Sequence, residues 1–268
     1  MKSLFGCFLL ASALIATFVS AAQSQTVPYR TSFEEPTFTV GNLDGQDDWS
    51  NISDPNGAAA IQSEVAGGIR RGSQSLMIEP ASIIGRDLTA PSQQVIYVDG
   101  FYQGPTVDFI PDATQMEDAG SSLVLFHVTE GIMGLDGNGS GGGSWIASGV
   151  DVSNDSFQRI TIRQDYNAQT WNLYVDGDMV LEGLGFKDST VTTLSGINIE
   201  TSSDGEGFLD DFSVTTTPPS FLGGPALFSF QAEWVQNSGD LNWDISPLEP
   251  DGQVNPKDLI ELIGGTEQ

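Results

Sequence analysis

The most regular alternation of apolar and polar positions in the chain begins at Phe157. In Phe157-Gln158-Arg159-Ile160-Thr161-Ile162-Arg163-Gln164, Ile160 and Ile162 share a face with Gln158 and Gln164, while Arg159 and Arg163 fall on the other. A period of two is the signature of a half-buried strand. Residues 165–169 supply a turn, after which Trp171, Leu173 and Val175 alternate with Asn172 and Tyr174, which places Trp171 in the core. Asp176-Gly177 is a preferred two-residue hairpin sequence, because both central positions must accept a positive φ. Residues 179–184 then return, so the region predicts a three-stranded meander.

Shorter runs rich in Val, Ile, Thr, Phe and Tyr predict strands at 28–33, 58–65, 75–79, 82–88, 94–101, 122–129, 131–135, 145–147, 196–200 and 208–215. So many short strands must each hide one face and their edges, and stacking them as two sheets does both. The expected fold class is therefore all-β, a two-sheet antiparallel sandwich over residues 27–215. Thr216-Thr217-Pro218-Pro219-Ser220 and Gly223-Gly224-Pro225 read as a linker over 216–226. Residues 227–268 form a separate tail. In it, Asn255-Pro256-Lys257-Asp258 has the cap and first-turn proline of a helix start, Leu259, Ile260, Leu262 and Ile263 form an apolar stripe, and Gly264 ends it.

The N-terminus adds a compartment. Met1-Lys2, an apolar run to Val19 and the small residues Ser20-Ala21-Ala22 predict a signal peptide over 1–22. Its removal takes Cys7, the only cysteine, so disulfides, a thiol nucleophile and thiolate metal sites are excluded from the mature chain. With no second apolar run of that length, no membrane insertion is expected. Nine Lys+Arg against 36 Asp+Glu give a net charge of −27. Such a chain repels nucleic acid and anionic membranes; it suits salty water or divalent cations.

Candidate chemistry is sparse. His127 is the only histidine and sits in a strand pattern, which with the missing cysteines excludes zinc sites of ordinary composition. No G-x-S-x-G or phosphate loop occurs. The adjacent acids Asp47-Asp48, Glu117-Asp118 and Asp210-Asp211 are expected on opposite faces of their strands, poorly placed to share a site. Arg159, Arg163, Gln164 and Tyr166, with His127 on another strand, offer the residue types of a polysaccharide lyase. Sugar binding asks instead for aromatic faces beside planar polar groups. Trp145, at the end of Asn138-Gly139-Ser140-Gly141-Gly142-Gly143-Ser144, is the first candidate. Tyr97, Tyr102 and Tyr166 join it.

Five segments carry a resemblance: Ser32-Phe33-Glu34 with 41–49, Gly72-Ser73-Gln74-Ser75-Leu76, Trp171-Asn172-Leu173-Tyr174-Val175-Asp176-Gly177, Gly196-Ile197-Asn198-Ile199, and Gly207-Phe208-Leu209-Asp210-Asp211-Phe212-Ser213-Val214. Together they resemble the concanavalin A-like, laminin-G-like jelly-roll superfamily of secreted proteins. That resemblance implies a jelly-roll sandwich, a fold that carries lectins, polysaccharide-cleaving enzymes and adhesion modules alike.

The tail resembles one repeat of a dockerin, a calcium loop followed by a helix. Asp240-x-Asn242-x-Asp244 matches the start of the loop and Asp251 to Asp258 its end, although six residues from Ile245 to Pro250 separate the halves and a second repeat is missing. The resemblance implies Ca²⁺ held by Asp240, Asn242, Asp244, Asp251 and Asp258, with a cohesin-type partner not expected. The sequence thus favours a secreted, non-catalytic carbohydrate-binding module acting on extracellular polysaccharide. The alternatives are an adhesion or surface-structural module without a glycan ligand, and a lyase or glycoside hydrolase of the jelly-roll fold.

Overall fold

The computed structural model describes residues 25–54, 57, 59–63, 68–92, 94–116, 120–203, 205–219 and 222. The expected signal peptide, the tail with its five expected calcium ligands, and most of the expected linker lie outside them. Sixteen strands occur among the described residues: β1 (Gln25–Thr26), β2 (Tyr29–Thr31), β3 (Gly41–Asn42), β4 (Trp49–Asn51), β5 (Ala59–Gln62), β6 (Ser75–Ile78), β7 (Ile83–Thr89), β8 (Val95–Gln103), β9 (Val124–His127), β10 (Gly131–Gly137), β11 (Gly143–Ala147), β12 (Gln158–Asp165), β13 (Thr170–Val175), β14 (Asp178–Gly185), β15 (Gly196–Glu200) and β16 (Gly207–Thr215).

They form an all-β sandwich. One layer is a nine-stranded sheet in the order β14-β13-β12-β8-β16-β6-β5-β3, with β2 also paired to β16. Opposite it are a four-stranded sheet, in which β7 pairs β1, β15 and β4, and a three-stranded sheet β11-β10-β9. The expected two sheets are thus three hydrogen-bonded ones, and the two-residue β1 pairs β7 in parallel. The expected 157–184 meander is β12-β13-β14 with unbroken β12–β13 register from Ile160↔Val175 to Asp165↔Thr170. Its hairpin turn carries φ of 50° at Asp176 and 91° at Gly177.

Alternation fixes the two faces of the large sheet. Ile96, Val98, Ile160, Leu173, Leu209 and Val214 point inward and join Trp49, Ile84, Leu88 and Ile132 from the smaller sheets in one continuous core. Trp171 is fully buried there, its indole N–H donating to the Leu135 and Gly185 carbonyls. The three-stranded sheet docks by close backbone approach: a Cβ on Gly137 would lie 2.3 Å from the Phe186 backbone. An aromatic cluster of Tyr29, Phe33, Phe38, Trp49 and Phe212 closes the other end. The buried guanidinium of Arg86 lies 3.9 Å from the Tyr29 ring centre and 3.3 Å from Asp47.

One departure from alternation matters for the surface. In β16 the register to β8 runs Asp210↔Phe101 and then Ser213↔Asp99, so Asp211 and Phe212 together face Gly100. This β-bulge, with Asp211 at φ 47°, resets the parity of the strand. Phe212 turns into the core, and Asp210 and Asp211 do not take opposite faces. Both carboxylates turn to residues 70 and 71 instead.

Candidate functional site

The outward face of β8, β12, β13 and β16 gathers the side chains that the core leaves over. Register sets them in rows across the strands. One row runs Arg30, Ser213, Asp99, Thr161, Tyr174 and Met179. A second runs Thr215, Tyr97, Arg163 and Asn172, and a third Asp210, Phe101 and Arg159. Tyr97, Phe101 and Tyr174 are half-buried, whereas Met179 and Arg30 are exposed. With strands about 4.8 Å apart and about 3.3 Å per residue, Tyr97, Phe101 and Tyr174 mark a triangle with sides of about 12–13 Å.

Polar groups between the rings are held in place. Arg159 donates from Nε to Asp99 Oδ1 at 3.1 Å and from Nη2 to Asp99 Oδ2 at 2.8 Å, and Thr161 Oγ1 donates to Asp99 at 2.5 Å. Arg163 reaches Asp165 at 3.3 Å. Arg70 pairs with Asp211, and its guanidinium carbon sits 3.3 Å from the Phe101 ring centre. Arg159 lies 5.1 Å from that same centre. Guanidinium groups fixed by buried carboxylates beside aromatic faces can present planar donors to a polyhydroxylated ligand at little entropic cost.

A clasp under this face positions Arg70. Asp210 Oδ2 accepts the backbone N–H groups of Arg70 and Arg71, each at 3.1 Å. Glu34 accepts from the backbones of Ser73 and Gln74 and from the Ser73 hydroxyl. Burial, with the Asp211 charge second, pushes the Asp210 carboxyl up to about 7, against the lowering effect of its three N–H donors.

The expected site residues scatter. Tyr166, expected as a ligand contact, lies in the core: it is 2% exposed, packs edge-on against Phe186, and hydrogen-bonds Gln164 and Ser121. Burial pushes its phenol up to about 12. Tyr102, also expected as a ligand contact, shares the inward parity of Ile96 and Val98 and packs, partly buried, against the core; burial raises its phenol too. Trp145 is half-buried on β11 in the small sheet, its indole N–H donating to the Pro111 carbonyl at 2.9 Å. Phe101 and Tyr174 were not singled out by sequence reasoning, although parity with Arg159 and Thr161 points them outward.

The lyase-type set does not assemble either. Arg159 and Arg163 project outward, whereas Gln164 and Tyr166 point inward to Ser121 and Ser122. His127 is buried and its Nδ1 accepts the N–H groups of Thr129 and Glu130.

No family model and no curated protein matches the sequence. Among solved structures, the fold is similar to a sialidase over 78% of this chain and 20% of that one, at 13% identity and a TM-score of 0.43. The chain thus spans about a fifth of that protein. It is also similar to domain 4 of AbnA, an extracellular arabinanase from Geobacillus stearothermophilus, in complex with arabinotriose (14% identity, 62% and 80% of the two chains, TM-score 0.41). A third is the CBM22-1 xylan-binding domain from Paenibacillus barcinonensis Xyn10C (15% identity, 72% and 97%, TM-score 0.32). Among the described residues no helix is long and apolar enough to cross a membrane, and no group of three or more His, Cys, Asp or Glu is placed to hold a metal.

Proposed function

We propose that the protein is a secreted, non-catalytic module that binds extracellular polysaccharide across the outward face of β8, β12 and β13. The observation that carries this reading is the placement of Tyr97 and Tyr174 on one sheet face, with Thr161 and Arg163 of β12 between them and the rigid Arg159–Asp99 pair alongside. An oligosaccharide lays the apolar faces of its rings on aromatic side chains and its hydroxyls against planar polar groups. This face offers both at a spacing of a short oligosaccharide. Secretion rests on residues 1–22, and Ca²⁺ binding by Asp240, Asn242, Asp244, Asp251 and Asp258 belongs to the same proposal for the tail.

A glycan array probed with the mature protein, followed by activity assays on the same polysaccharides, tests the reading. Retention without new reducing or unsaturated ends is expected. Cleavage would point to the enzyme alternative, and silence on every glycan to the adhesion or surface-structural one.

A further inference from the structure

Resting on that reading, the arginine distribution narrows the ligand. The chain has six arginines, Arg30, Arg70, Arg71, Arg86, Arg159 and Arg163, against 36 acidic residues. Arg86 is in the core. Four of the other five stand on the outward face just described: Arg30, Arg159 and Arg163 by register, and Arg70 by its seat on Phe101. Four of the chain's six arginines thus stand on one face of one sheet.

Arg70 and Arg159 form the built part. Their guanidinium carbons lie 3.3 and 5.1 Å from the centre of the same ring, so they are no further apart than those two distances end to end. Each is tied from below, Arg70 by Asp211 and Arg159 by both oxygens of Asp99. The carboxylates are buried, at 3% and 5% side-chain exposure, while the arginine side chains keep 23% and 24%. Phe101 therefore serves less as a platform for a sugar than as a mount for two cations, whose charge the ring faces favour.

We infer that Arg70 and Arg159 form a clamp for an anionic group, carboxylate or sulfate, on an acidic polysaccharide. Guanidinium groups suit such oxyanions because their N–H donors match two oxygens at once. The buried aspartates fix the rotamers in advance, so ligand binding loses little side-chain entropy. The chain's overall negative charge does not forbid this. At physiological salt the screening length is about 8 Å, so carboxylates beyond that distance weigh little, while Asp99 and Asp211 lie closer and offset part of the two guanidinium charges. Arg30 and Arg163, flanking on the same face, extend the track along a polymer.

The test compares polymers that differ only in charge. Binding of the mature protein is measured by titration calorimetry to polygalacturonate and its methyl ester, and to dextran sulfate and dextran. The clamp predicts at least tenfold tighter binding to the charged member of one pair; the carboxylate pair responding identifies uronates, the sulfate pair sulfated glycans. Arg159→Lys and Arg70→Lys keep the charge that satisfies Asp99 and Asp211 but lose the fork, and each should abolish that preference. Tyr97→Ala should weaken both members of the responding pair alike. Equal binding within both pairs, or a preference that survives both lysine variants, overturns the clamp. Neutral glycans bound on the array with none of these polymers bound overturns it while leaving polysaccharide binding standing. Silence on array and polymers alike removes both.

Discussion

Asp99 on β8 and Arg159 on β12 meet in a two-point ion pair, with both carboxylate oxygens engaged and Asp99 itself almost fully buried. The pair ties the two strands at the centre of the outward face. Removing the cation leaves a buried charge beside the Thr161 hydroxyl. Arg159→Ala should therefore cost about 2 kcal/mol of stability, and Asp99→Asn added to it should recover part of that loss. Urea unfolding of the single and double variants measures both; an additive double variant would show that the pair is not coupled.

The Asp210 clasp makes stability depend on pH. A carboxyl pushed up to about 7 in the folded protein binds its proton more tightly there than in the unfolded chain. Its contribution is present in full below the ordinary carboxylate range near pH 4. It is lost as pH rises towards 7 and constant above that. Asp210→Asn should flatten this part of the profile, so that thermal midpoints of variant and parent diverge progressively between pH 4 and 7. Parallel profiles would contradict the assignment.

Docking of the small sheet depends on missing side chains. A methyl group at Gly137 would meet the backbone of Phe186 at 2.3 Å, whereas one at Gly104 would make ordinary contact at 3.7 Å. Gly137→Ala should cost about 3 kcal/mol from overpacking, and Gly104→Ala less than about 1 kcal/mol. Equal midpoints in chemical denaturation would sink this account of how β10 seats beside β14.

The tail carries the calcium proposal. Titrating the mature chain with Ca²⁺ should release or absorb heat, and Asp240→Asn with Asp244→Asn should remove that heat, because carboxylates gathered within a few ångströms repel until a divalent ion neutralises them. No heat at millimolar calcium would leave Asp258 as a helix-terminus residue, with Asp258→Ala costing about 1 kcal/mol.

Most of the sandwich was legible because burial on one face forces a period of two. β13 and β15 follow that pattern closely, and Trp171 could be assigned to the core from its neighbours alone. β3 and β4 escaped notice because each is two or three residues long, too short for alternation to show among turn residues. The site was only partly legible. Tyr102 could have been placed inward by parity with Ile96 and Val98, and the same count sends Tyr97 and Phe101 outward. Tyr166 lies just past the end of β12, where alternation no longer speaks. The Asp210-Asp211 pair was misread because a bulge shifts parity without any glycine to announce it. The seating of Arg70 on Phe101 joins residues 31 positions apart, which no local pattern encodes.

Polysaccharide binding on the outward face is the central claim, and one measurement bears on it most directly. A polysaccharide retained on the array is titrated against the parent protein, Tyr97→Ala, Tyr174→Ala and the double variant, with Trp145→Ala as a control on the other sheet. Each tyrosine should contribute about 1 kcal/mol of stacking, so affinity falls several-fold per single variant and further in the double, with Trp145→Ala unchanged. Loss of binding in Trp145→Ala with both tyrosine variants at full affinity would contradict the account.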